Sequence, residues 1–311
     1  MTADRYARIF RSLGHHAAIA REYGGEPCDC MVALHARKSA KSALAFRKRY
    51  PRRPLIVVLT GTDVYRDIRT SRSAQRALDA ASAIVALQPN AIHELPRRLR
   101  QRAVAIVQSA LTAHGAAHRK SAWFEICVIG HLRPEKDPLR AAHALRLLPA
   151  PLRVRVTQAG RAIDGHYARS ARRLQTRLRG RYRWLRELSR TRARRLLTWS
   201  GLMVLSSRLE GGANVLCEAI ASGVPVLASK IPGNTGILGR DYPGLYPVGN
   251  TKSLAALMYR AATDRRFLDL LRRRCAALRK LVSPAREGRA WAQTLRRAKQ
   301  CARLSESLSV P

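Results

Sequence analysis

The sequence predicts an α/β protein of two parallel, doubly wound domains, and three observations carry that expectation. Short apolar runs alternate with amphipathic segments along nearly the whole chain. The alternation stops at an aperiodic stretch, residues 111–122, and then starts again. A chain of 311 residues, 46% of them hydrophobic, is long enough to bury two modest cores.

Residues 2–13 place Tyr6, Ile9, Phe10 and Leu13 on one helical face and stop at Gly14. No strand precedes this helix, whereas a doubly wound domain ordinarily begins with a strand and a Gly-rich turn. The first domain, residues 1–110, is therefore expected to lack its first strand and Gly-rich loop, either because Met1 lies inside a longer natural frame or because the gene is truncated. Strands are expected at 17–21 and 30–34, a helix at 39–50, a buried strand at 55–60, a helix at 73–81 and a strand at 83–87. A short helix from Asn90 and a strand at 104–107 complete that half. Residues 111–122, with His114, Gly115 and His118, read as a linker.

The second domain, residues 123–283, repeats the pattern with strands at 125–130, 154–158 and 182–185 and helices at 138–148, 166–178 and 191–200. The apolar run 202–205 then reaches a polar loop at Ser206, the Gly211-Gly212 pair, a helix at 213–221 and, past Gly223 and Pro225, another strand. A turn of helix near Asn234, a strand at 245–248 and helices from Ser253, Arg266 and Ala285 follow. The last helix, 284–302, is expected to cross back and pack on both domains, and residues 303–311 to form a tail.

Composition excludes several classes of function. No run is long and apolar enough to span a bilayer, and Met1-Thr2-Ala3-Asp4 lacks the basic and apolar regions of a signal peptide, so integral membrane association is not expected and the protein reads as cytoplasmic. The six cysteines (Cys28, Cys30, Cys127, Cys217, Cys275 and Cys301) lack metal-ligand spacing and read as reduced and buried. With 59 Lys and Arg against 20 Asp and Glu the net charge is +39, which raises the alternative of a basic nucleic-acid-binding protein. The excess is spread over nearly every helix, however, and aromatics are only 5% of residues, so no base-stacking platform or specific nucleic-acid partner is expected.

The candidate chemistry gathers at four strand ends. Gly211 and Gly212 clear space for a ligand, and the N–H groups of Ala213, Asn214 and Val215 at a helix start suit a diphosphate. Glu218 lies one turn in, on the face of Asn214 and Val215, where an acceptor-only carboxylate suits the paired hydroxyls of a ribose. Glu210, with seven residues between it and Glu218, stands where a sugar beyond the diphosphate would lie. In the segment Gly130 to Pro138, Arg133 and Lys136 are suited to neutralising a departing diphosphate. No Asp-x-Asp pair occurs, so no metal site is expected. In the first domain, Gly61 permits a tight turn with Thr62 and Asp63 exposed, followed by Arg66, and Arg37 and Ser39 sit at a comparable strand end. Together they offer cations to an anionic acceptor, although Asp63 fits a helix N-cap equally well.

The segment from Leu202 to Ser229 resembles the paired-glutamate signature of GT-B glycosyltransferases of the family 4 kind. The resemblance implies two Rossmann-like domains facing a cleft, Glu218 on the ribose and Glu210 toward the donor sugar, with Trp184 and Leu185 near the base. Two departures stand out: Arg186 occupies a position expected to be glycine, and His131 stands where relatives carry arginine, leaving Arg133 to substitute and His131 to contact sugar or acceptor. Further, the segments Leu59 to Ile68, Gly130 to Pro138 and Arg208 to Val215 are similar to the selenosugar synthases of selenoneine biosynthesis. That similarity implies transfer of N-acetylglucosamine or glucose from a UDP-sugar to selenophosphate, without a cofactor. A GT-B enzyme with a hydroxyl acceptor, glycan or lipid, and an inactive truncated remnant are the alternatives.

Overall fold

The computed structural model describes residues 2–112 and 121–307, with side chains as far as Cys301. The chain divides into two compact units, Met1–Gln108 with Pro284–Pro311, and Ser109–Ser283.

The first unit is built on four parallel strands in the order β1-β2-β3-β4: β1 (Met31–Leu34), β2 (Leu55–Val58), β3 (Ala83–Ala86) and β4 (Ala103–Ala105). Met31 stands opposite Leu55, Ile56 opposite Ala83 and Ile84 opposite Ala103. Every residue of β2 and β3 is buried, as uninterrupted apolar runs require when helices cover both faces. On one face the helices Ala40–Arg49 and Arg72–Asp79 bring Phe46 and Leu78 against Leu55, Val57 and Ile84. On the other, Tyr6 of Thr2–Ser12 and Trp291 of Pro284–Ser307 meet Ile56, Val58 and Val85. Trp291 is fully buried, with ring centroids 4.7 Å from Tyr6 and 5.0 Å from Phe10 in edge contacts.

Residues 17–21 do not form the expected strand. They are irregular, and Ile19 is 49% exposed. Three alanines and one isoleucine offer too little apolar surface to pin a strand to the sheet. The last helix runs through Ser307, so residues 303–307 are helical where a tail was expected, and 308–311 lie outside the described residues. Of the expected linker, residues 113–120 also lie outside them. The cysteines are free, but only Cys127, Cys217 and Cys275 are buried. Cys28 and Cys30 are half-buried in and beside the irregular approach to β1, and Cys301 is exposed near the end of the last helix.

The second unit holds six parallel strands in the order β10-β9-β8-β5-β6-β7. They are β5 (Phe124–Ile129), β6 (Val154–Ala159), β7 (Tyr182–Trp184), β8 (Leu202–Leu205), β9 (Val226–Ser229) and β10 (Leu245–Tyr246). The chain lays down β5, β6 and β7 to one side and then returns to place β8 on the other side of β5. The strand order reverses between β5 and β8, so the loops after those two strands open beside each other at the C-terminal edge, where doubly wound sheets bind ligands. No helix among the described residues is long and apolar enough to cross a membrane.

Candidate active site

The loop after β5 and the loop after β8 are tied together through main-chain carbonyls. The Arg208 N–H donates to the Glu135 carbonyl at 2.8 Å, and Ser206 Oγ donates to the carbonyls of Lys136 and Asp137 at 3.1 and 2.9 Å. Asp137 adopts a left-handed φ of 42° at the turn into the following helix, and its carboxylate accepts from Arg140 Nε at 2.9 Å. On this frame Lys136 and Glu210, remote in sequence, form an ion pair through Lys136 Nζ and Glu210 Oε1. Their side chains are 21% and 9% exposed. Glu210 Oε1 also accepts from Ser207 Oγ at 2.6 Å.

Behind Glu210 lies a buried polar chain that sequence reasoning missed. Ser229 Oγ donates to the Ser207 carbonyl, and Asn234 Nδ2 donates to the Ser229 carbonyl at 2.9 Å. All three residues are buried. The Ser206-Ser207 pair directly before Arg208-Leu209-Glu210 was the available signal, since a small hydroxyl three residues before a carboxylate can reach it. Asn234 had no local signal.

The helix Asn214–Ser222 starts at Ala213 with no side-chain cap, so its first N–H groups keep the unsatisfied donors that attract an anion. It ends at Gly223 with φ 72°, a left-handed C-terminal stop. Gly211 and Ala213 are buried, Gly212 and Val215 half-buried, and Asn214 exposed. The carboxylate of Glu218, one turn in and half-buried, makes no hydrogen bond or ion pair with any described residue.

The remaining expected residues are distributed as follows. Arg133 is exposed and lies 3.8 Å from the Glu135 carboxylate. His131 is exposed, and its Nδ1 accepts from the Arg161 N–H at 3.2 Å, which ties it to the loop after β6. Trp184 is half-buried and commits its indole N–H to the Gly160 carbonyl at 2.9 Å, while Leu185 is 42% exposed. Arg186 carries φ 56°, the left-handed conformation that explains why glycine suits the position.

In the first unit the sheet gathers the expected acceptor-side residues at the ends of β1 and β2. Asp63 is not exposed there. It is fully buried, and its carboxylate accepts from the N–H groups of Ala36, Thr60, Gly61 and Val64 at 2.7–3.2 Å. Four converging backbone donors make it a brace between the two loops, because each would otherwise be buried unpaired. Gly61 is buried beside it, and Ser39 Oγ is spent on the Leu34 carbonyl at 2.6 Å. Thr62, Arg37 and Arg66 keep polar atoms at the surface around Asp67 and His35. Burial lowers the His35 pKa below its ordinary value against the pull of Asp63, so the ring is neutral near pH 7. Burial pushes Asp67 up, but hydrogen bonds and charge from Arg37 and Arg66 outweigh it and hold its carboxyl below the usual range.

Two parallel α/β units, the second with a Gly-Gly loop and an uncapped helix at the reversal of its sheet, constitute the GT-B architecture. The family description of the glycosyl transferases group 1 matches residues 116–278, and the chain belongs to that family. Among solved structures, Anabaena HepE in complex with UDP superposes with a TM-score of 0.72 at 18% identity, over 86% of this chain and 78% of that one. A UDP-forming α,α-trehalose-phosphate synthase from Burkholderia vietnamiensis gives 0.71 at 13% identity, over 99% and 77% of the two chains. The sucrose-phosphate synthase of Thermosynechococcus elongatus gives 0.66 at 16%, over 99% and 78%. No curated protein sequence matches the chain.

Proposed function

We propose that the protein transfers a sugar, N-acetylglucosamine or glucose, from a UDP-sugar held by the second unit to selenophosphate held by the first. The observation that carries the donor half is Glu218. A half-buried carboxylate without a partner stands one turn into a helix whose leading N–H groups are uncapped behind Gly211-Gly212. That is a donor set for a diphosphate next to an acceptor for ribose hydroxyls. HepE, which shares the fold, has been solved with UDP and with UDP-glucose. Lys136, Arg133 and the helix N-terminus supply the positive field in which UDP departs with the bonding pair. Glu210 orients the sugar, and its pairing with Lys136 keeps the cation in place while the site is empty.

The acceptor half rests on the sequence similarity to selenosugar synthases and on the basic strand ends of the first unit. Selenium in selenophosphate is a soft, already anionic nucleophile that needs no general base. It attacks the anomeric carbon as the bond to UDP breaks, and water then takes phosphorus from selenium to leave the selenosugar and phosphate. Calorimetric titration of UDP against wild type, Glu218→Ala and Lys136→Ala tests the site. Loss of a charge-assisted hydrogen bond predicts about tenfold weaker binding in each variant. Wild-type affinity in both would overturn the donor site. Release of UDP with selenophosphate but not with sugar or lipid alcohols is the expected acceptor result.

A further inference from the structure

Asp67 holds two arginines by one edge each. Its side chain is 6% exposed and takes Arg37 and Arg66 together, each through Nε, at 2.8 Å on Oδ2 and 3.3 Å on Oδ1. A guanidinium held at Nε keeps both Nη nitrogens for another acceptor. Neither arginine places an Nη on any described residue, and their side chains are 47% and 65% exposed. One buried carboxylate therefore grips two planar cations by their inner edges and leaves two forks uncommitted.

The neighbouring imidazole adds a third donor. His35 Nδ1 accepts from the Lys38 N–H at 3.4 Å, which assigns the ring proton to Nε2, and Nε2 lies 3.0 Å from Thr62 Oγ1. With its oxygen occupied by that N–H, Thr62 has its own proton to give. His35 adopts φ 73°, a left-handed conformation that costs any residue with a Cβ and that glycine takes freely. The imidazole is held in this cluster against its backbone's preference.

We propose that Arg37, Arg66 and Thr62, braced by Asp67 and His35, form a binding site for a tetrahedral oxyanion of the phosphate class. If the transfer reading above holds, this oxyanion is the phosphate end of the acceptor. Two guanidinium forks and one hydroxyl then account for the three phosphate oxygens and leave selenium unbound, as a nucleophile must be. Arg37, Arg66 and Thr62 bind substrate, while Asp67 and His35 position them.

The test is calorimetry of the full chain with monothiophosphate and with inorganic phosphate, paired with UDP titrations of the same samples. Wild type is expected to bind thiophosphate at one saturable site. Arg37→Ala and Arg66→Ala should each weaken it about tenfold, while Arg265→Ala, a control at an arginine 92% exposed elsewhere, should leave it unchanged. Equal losses in the control would reduce the effect to net charge and overturn the proposal. Asp67→Asn separates positioning from charge. It raises the local positive charge by one, so a merely electrostatic patch would bind tighter, whereas a braced clamp binds more weakly. His35→Gly removes the imidazole and relieves the backbone, so its melting temperature should hold while thiophosphate binding drops several-fold; unchanged binding would overturn the part given to His35. UDP affinity should be unaltered in all these variants. Wild type that binds UDP but neither anion ends this proposal and leaves the transferase reading with a hydroxyl acceptor. Anion binding that depends on Arg37 and Arg66 without any UDP binding ends the transfer reading and leaves this site.

Discussion

Asp63 shows how much one carboxylate can organise. Its two oxygens take four backbone N–H groups from the ends of β1 and β2. Replacing it with alanine leaves those donors buried and unpaired, and the expected cost is at least about 2 kcal/mol of stability, read from urea unfolding. Asp63→Asn, which keeps an acceptor oxygen, should recover part of the loss. From the sequence, Asp63 was open to two readings, a surface group and a helix N-cap. The structure bears out neither, since the helix starts behind Thr62 with no side-chain cap, and the buried carboxylate takes N–H groups of its own loop while also reaching Ala36 across the sheet. The choice depended on a partner 27 positions away. Glu218 is the opposite case. Its place one turn into a Gly-Gly-led helix follows from helical spacing, a local property that needs no knowledge of the rest of the chain.

At the scale of elements, the loop Ser206–Ala213 is set by contacts from both sides. The loop after β5 holds it through Glu135, Lys136 and Asp137, and the helix Pro232–Leu238 closes it from behind. Gly233 of that helix has no room for a side chain, because an added Cβ would stand 2.2 Å from the Glu210 carbonyl oxygen. Gly233→Ala must therefore push the Glu210 segment toward the ligand side. A shift of about 1 Å at such a group costs up to about a hundredfold in rate, so transferase turnover should fall steeply. Circular dichroism should still report an intact fold, and a Gly233→Ala protein with wild-type turnover would contradict this coupling. Elements with strong periodicity or long apolar runs, such as β2, β3 and Thr251–Thr263, lie within a few residues of their expected positions. The expected strand at 17–21 failed because alternation among alanines carries no burial to enforce it.

Over the whole molecule, the last helix joins the unit formed by the first third of the chain. Trp291 sits at the centre of that junction with Tyr6 and Phe10, and Arg5 adds two hydrogen bonds to the buried Glu287, at 3.0 and 2.6 Å. Trp291→Ala should destabilise the first unit by about 3–5 kcal/mol. In thermal unfolding this is expected to separate an early transition from a later one, with UDP binding by the second unit retained below the later transition. A single shifted transition that abolishes UDP binding would show the units to be energetically inseparable. The sequence by itself determined the two parallel α/β halves, the loops at the C-terminal strand ends and the paired glutamates, because apolar period, glycine placement and helical spacing are encoded within a few residues. Only the tertiary structure decided which charges meet. The pairing of Lys136 with Glu210, the bond from Ser229 to the Ser207 carbonyl behind it and the grip of Asp67 on Arg37 each join distant segments. Such contacts arise only when the sheet brings strand ends together, and no local pattern records them.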